Sequence, residues 1–93
     1  MTDIQIRKEA GRYVATIPGK PGEAELTFTR DGNVVHADHT GAPDSLRGTG
    51  AAAALVEALI HDARTEGFRI DPRCSYVAKK FDDNPDWAEL RAV

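Results

Sequence analysis

An α+β fold is predicted, in which a mainly antiparallel sheet of about five strands carries one long helix and ends in short helical pieces. Three observations predict it. Up to residue 40 the apolar residues alternate, as on half-buried strands; from 51 to 66 they recur at helical spacing; beyond that only short segments bounded by glycine and proline remain. The 93 residues leave room for one small domain over 1–93, with 41% hydrophobic and 29% charged residues, the balance of a packed chain rather than a disordered one.

The elements follow in order. Segments 4–8 and 12–17 flank a turn at Glu9-Ala10-Gly11 and read as a hairpin. After the loop PGKPGE, Ala24, Leu26 and Phe28 alternate with Glu25, Thr27 and Thr29, giving a third strand with one wet face. Asp31-Gly32 suits a tight turn, and NVVHADHT returns as a fourth strand, completing an antiparallel meander. In the long helix Ala52, Leu55, Val56, Leu59, Ile60 and Ala63 form one buried face, with Glu57, His61, Asp62, Arg64 and Glu66 mostly opposite. Gly67 is placed to end that helix, FRID follows as a fifth strand, and Pro72 should break its ladder. SYVAKKF then suits a short helix capped by Ser75, and Asn84-Pro85 opens a last turn carrying Trp87 and Leu90.

Composition weighs against several functions. A net charge of -3 and a pI near 5.5 give no electrostatic footprint for nucleic acid. No apolar run is long enough to span a bilayer, and MTDIQIRKEA lacks the apolar core of a signal peptide, so a cytoplasmic chain without membrane partners is expected. Cys74 is the only cysteine, which rules out an internal disulfide and a thiolate cluster. His36 and His39 are three apart on a strand, so they are expected on opposite faces, and with His61 elsewhere no metal site is expected.

The stretch LRGTGAAAALVEAL sets an arginine and two glycines where the helix begins, at a cost in backbone entropy. A helix start has unpaired N–H groups and the positive end of the macrodipole. Gly48 and Gly50 open those groups to a phosphate, and Arg47 adds a charge that pairs with its oxygens. The glycines equally suit a tight strand-to-helix turn. Gly48-x-Gly50-x-x-Ala53 with Asp71 about 20 residues on also fits a dinucleotide fingerprint. Against that, the polar, proline-containing TGAPDSLR precedes the first glycine, and too little chain remains for further parallel strands. No Gly-Lys-Ser/Thr closes a P-loop.

Arg47-x-x-Gly50-x-Ala52, after a fourth strand and at the head of a long helix, resembles the acyl-CoA pyrophosphate loop, Q/R-x-x-G-x-G/A, of the GNAT acetyltransferase superfamily. The ordered set His39-Thr40, Pro43, Leu46, the loop 47–52, Cys74 with Tyr76, and Asn84-Pro85 is similar to the small single-domain GNAT-like N-acetyltransferase domain proteins, over most of the chain. The resemblance implies an N-acyltransferase that binds acetyl-CoA between splayed fourth and fifth strands. It places the pyrophosphate at Arg47, Gly48, Thr49, Gly50, Ala51 and Ala52, and the acetyl group near the strand ends. The second partner is an amine-bearing small molecule or protein. Two departures matter. Larger members have extra helices near the N-terminus that help build the acceptor site, and here a tight turn joins the first two strands. The small group also commonly has a glutamate and a larger aliphatic residue after His-Thr, where this chain has Gly41 and Ala42.

The candidate catalytic residues are His39, Cys74 and Tyr76. His39 has the titration range of a general base, and a surface histidine is the plainer alternative. Tyr76 suits protonation of the departing thiolate, as a tyrosine near the last helix does in larger relatives, or ordinary packing. Cys74 suits an acyl-accepting thiolate or a buried apolar residue. Lys79 and Lys80 suit a ligand phosphate or solvent. Two further functions stay open: a CoA-binding or protein-interaction module without turnover, and a small nucleotide-binding domain of another type. The sequence carries no signal for oligomeric state.

Overall fold

The computed structural model describes residues 3–92. Strands β1 (Gln5–Glu9), β2 (Arg12–Thr16), β3 (Ala24–Asp31), β4 (Val34–Gly41) and β5 (Arg69–Pro72) form one sheet in the order β1-β2-β3-β4-β5. The first four are the predicted antiparallel meander. The fifth runs parallel to β4, because the chain crosses over through helix α1 (Ala51–Glu66) before it returns. A 3-10 turn, Asp44–Leu46, precedes α1; helix α2 (Ser75–Asp83) and a 3-10 helix, Pro85–Leu90, follow β5.

One side of the sheet carries the core. Tyr13, Ala15, Leu26, Val35, Ala37 and Ile70 meet the apolar stripe of α1, and Val77, Phe81 and Leu90 extend the same cluster. Leu55 and Leu59 are fully buried there; truncating either to alanine costs about 2–5 kcal/mol. Gly67 ends α1 in the left-handed conformation, φ 81°, its amide bonded to the Ala63 carbonyl at 2.9 Å. The opposite side of the sheet carries Arg7, Arg12, Glu25, Thr27 and Thr29 and, among the described residues, no helix. Ion pairs of Arg12 with Glu9 and Glu25 and of Arg7 with Glu23 cross it.

Three expectations are corrected. The register of β3 against β4 shifts between Thr27, which opposes His39, and Phe28, which opposes Ala37, so Asp38 is a bulged residue. Thr27 and Thr29 share a face, and their partners His39 and His36 therefore do so too. The period-two argument that separated the histidines holds only for an unbulged strand. Asp62 is buried, not solvated: it accepts from the Tyr13 hydroxyl at 2.6 Å and from Lys8 Nζ at 2.8–2.9 Å. A cavity of about 160 Å³ lies beside it, and its carboxylate there is already partnered. Ser75 is the first residue of α2 rather than its cap; Cys74 holds that position.

Candidate functional site

The site begins where β4 and β5 part. Their pairing runs from Val34↔Arg69 to Ala37↔Pro72. Pro72 has no N–H to extend the ladder, and the Cys74 amide takes the Ala37 carbonyl at 2.8 Å as the closing bond. Beyond it β4 runs on from Asp38 to Gly41 while the chain after β5 turns into α2. The bulge on one strand and the proline on the other thus open a cleft between them.

Cys74 sits in the fork, half-buried, with Sγ 3.5 Å from Thr40 Oγ1. Burial raises its thiol pKa, and the Thr40 hydroxyl with the amides of Val77, Tyr76 and Thr40 outweighs that, so the net shift is downward.

On the core side, the glycine loop meets α2. Leu46 is 1% exposed and anchors the loop in the core. Gly48 and Gly50 are left-handed, φ 76° and 86°, and an added Cβ on Gly48 would meet nothing within 4 Å, so the backbone there is bare. Gly50 caps α1 with no side-chain bond, no acid occupies the first turn, and the first helical bond is Ala54 N–H to the Gly50 carbonyl at 2.9 Å. The amides of Ala52 and Ala53 therefore have no carbonyl a turn back to bond. Thr49 turns its hydroxyl into the loop, onto the Leu46 carbonyl at 2.6 Å and near the Ala51 amide at 3.3 Å, so its side chain braces the loop. The Arg47 side chain is 84% exposed and pairs with the equally open Asp44, at 3.3 Å.

Arg47, Gly48, Gly50 and the first three alanines of α1 form one wall of a groove of about 430 Å³, whose other wall carries Tyr76 and Lys80. Lys80 Nζ stands 5.5 Å from the Tyr76 ring centroid. The two adjacent lysines divide here: Lys80 faces the groove, and Lys79 pairs with Asp83 at 3.6 Å. Bare amides, unpaired helix charge, an exposed arginine and a lysine across the gap fit a pyrophosphate ligand.

On the helix-free face, His36 Nδ1 lies 2.9 Å from Asp71 Oδ2 across β4 and β5, and Arg73 Nε reaches the same oxygen at 3.0 Å. Asp71 is held below the usual carboxylate range by the His36 bond first and by Arg73, with burial opposing. His39 is exposed on the same face. A Cβ on Gly41 would stand 3.1 Å from its Nε2, so the glycine leaves the ring room to lie there. The His36–Asp71 pair was not legible from the sequence, because it depends on the parallel register that brings position 36 opposite 71. The same pair overturns the dinucleotide fingerprint: its acid is engaged on the far side of the sheet, and a 3-10 turn, not a strand, leads into Gly48.

Among the described residues no group of three or more His, Cys, Asp or Glu is placed to hold a metal ion, and no helix is long and apolar enough to cross a membrane.

Two comparisons with known proteins bear on the family and the fold. The model of a family of GCN5-related N-acetyl-transferases matches residues 12–90. The NMR solution structure of a GCN5-like protein from Staphylococcus aureus shares the fold, with TM-score 0.75 and 24% sequence identity over 98% of this chain and 90% of the other. No curated protein matches the chain. Matched over most of its length, and with the fold of a GCN5-like protein, the chain belongs to the GCN5-related N-acetyltransferase family.

Proposed function

We propose that the protein transfers an acetyl group from acetyl-CoA to an amine. The observation that carries this is one groove in which the bare start of α1 faces Tyr76 and Lys80, with Ala42, just beyond the end of β4, in its lining. Arg47, Gly48, Gly50, Ala51 and Ala52 hold the pyrophosphate, with Thr49 bracing their loop, and Lys80 offers a charge to a further phosphate. When bound, acetyl-CoA supplies an activated thioester. Tyr76, on the first turn of α2, donates a proton to the departing thiolate. Two imidazoles, His36 and His39, stand on the helix-free face from which an acceptor reaches the cleft. Either imidazole, when neutral, has a ring nitrogen able to accept the amine's proton.

Two observations support further readings. Cys74 lies in the fork with its thiol shifted toward the thiolate, which suits a covalent route through an acetylated cysteine. Gly41, where relatives commonly have a glutamate, and the uncovered sheet face suit a CoA-binding module that awaits a partner. Release of free CoA from acetyl-CoA across an amine panel tests the proposal. Multiple turnovers support transfer, a single acetyl adduct on Cys74 without release supports stalled covalent chemistry, and binding with neither supports the module.

A further inference from the structure

On the helix-free face beside the cleft, two side chains are held in a fixed relation. His36 and Asp71 are register partners on β4 and β5, their side chains each 18% exposed, and His36 immediately precedes Ala37, on the last rung before the strands part. We infer that His36 is the general base that accepts the proton of the acceptor amine and that Asp71 positions it, an inference that rests on the acyltransferase reading above.

An ionised carboxylate can only accept hydrogen bonds, so the Asp71 oxygen 2.9 Å from Nδ1 requires the proton of neutral His36 to sit on Nδ1. That tautomer leaves the Nε2 lone pair as the basic site. Asp71 is fixed in turn by Arg73 at 3.0 Å, and Arg73 Nη1 lies 3.8 Å from Asp38 on the bulge. His39 has no carboxylate partner among the described residues, so nothing comparable selects its tautomer. The charged groups facing His36 are Asp71 and Arg73 beyond one edge, Asp38 on its own strand, and Arg69 and Asp31 a register step away; β3 opposes it with uncharged Thr29. Partial burial of the pair beside a cleft suits a positioned base, since a fully solvated imidazole has no fixed aim.

The step balances. A neutral amine nitrogen bonds to the acetyl carbon, the carbon–sulfur bond of the thioester breaks, and its electron pair leaves on sulfur. The proton lost from nitrogen goes to His36 Nε2, and the thiolate takes one from Tyr76, so one proton has moved from nitrogen to sulfur once the two side chains re-equilibrate with solvent.

The experiment measures CoA release and acetyl-CoA affinity for wild type, His36→Ala, His39→Ala and Asp71→Asn, using alkylamines, polyamines and a lysine peptide as acceptors. His36→Ala is expected to lose about 10²-fold or more in kcat. It should keep its acetyl-CoA affinity, lose the acidic limb of the pH–rate profile, and recover part of its rate with added imidazole. Asp71→Asn should lower kcat with acetyl-CoA affinity kept, and Asp71→Glu, assayed beside it, should restore part of the rate; a merely structural pair would leave kcat unchanged in a variant that melts as wild type does. Unchanged kcat in His36→Ala, or a loss confined to His39→Ala, overturns the inference while leaving the transferase standing. Acetyl-CoA binding by wild type without CoA release to any of these amines overturns the transferase reading and the base with it.

Discussion

The amide of Cys74 donates to the carbonyl of Ala37 at 2.8 Å, and it is the bond at which β4 and β5 stop being one sheet. It sets the backbone of the cleft and, in the same residue, the place of the thiol. The sulfur is consequently held near Thr40 and the first amides of α2.

Cys74 is expected to alkylate with a pH midpoint below that of an ordinary thiol, about 8.5. Burial raises its pKa, and the hydroxyl and amides around it lower it by more, so thiolate is enriched at neutral pH. Iodoacetamide labelling across pH, read by intact mass, checks this. A midpoint at or above the ordinary value would show that burial dominates.

Gly22→Ala should destabilise the fold although the residue is exposed. Gly22 is left-handed at φ 86°, and an added Cβ would stand 2.9 Å from Pro43 Cγ and 3.1 Å from Ser45 Oγ. The left-handed strain alone is worth about 1–2 kcal/mol, a fall of roughly 4–8 °C in Tm per kcal/mol for a domain of this size. Calorimetric melting tests it; an unchanged Tm would mean that the 43–46 turn shifts freely, and that it does not brace the glycine loop.

Tyr13→Phe should cost about 1.5–3 kcal/mol at neutral pH, the range for a hydrogen bond to a charged group. Burial raises the Asp62 pKa, and Lys8 and Tyr13 lower it by more, leaving it below its ordinary value. A depressed carboxylate adds stability that is complete above the unfolded pKa of about 3.9 and lost as pH falls through the folded value. The gap between wild type and Tyr13→Phe, followed by urea melts, should therefore narrow below about pH 4. A gap constant with pH would assign Tyr13 a packing role only.

The meander, the α1 face and the glycine loop were legible because each rests on local periodicity or on turn residues such as Gly67. What was not legible depends on pairing. A single bulged residue, Asp38, turned His36 and His39 to one face, and the parallel crossover set His36 against Asp71. Asp62 lies on the polar side of the helical pattern, yet Tyr13 and Lys8 from β2 and β1 reach it and bury it. The position of the glycine loop at the start of α1 could be read locally, but the inward turn of Thr49 and the separation of Lys80 from Lys79 needed the fold.

Ala52→Glu separates ligand binding from folding. Ala52 lines the groove in the first turn of α1, where a carboxylate complements the helix charge and should add about 0.3–1 kcal/mol of stability. The same charge stands where the pyrophosphate is proposed to lie. The measurement is a calorimetric titration of wild type and Ala52→Glu with acetyl-CoA, with NADH as control, beside a thermal melt of each. The account predicts micromolar-range acetyl-CoA binding to wild type, its loss in a variant that melts no lower, and no comparable binding of NADH. Undiminished acetyl-CoA binding by Ala52→Glu, or a wild-type preference for NADH, would contradict it.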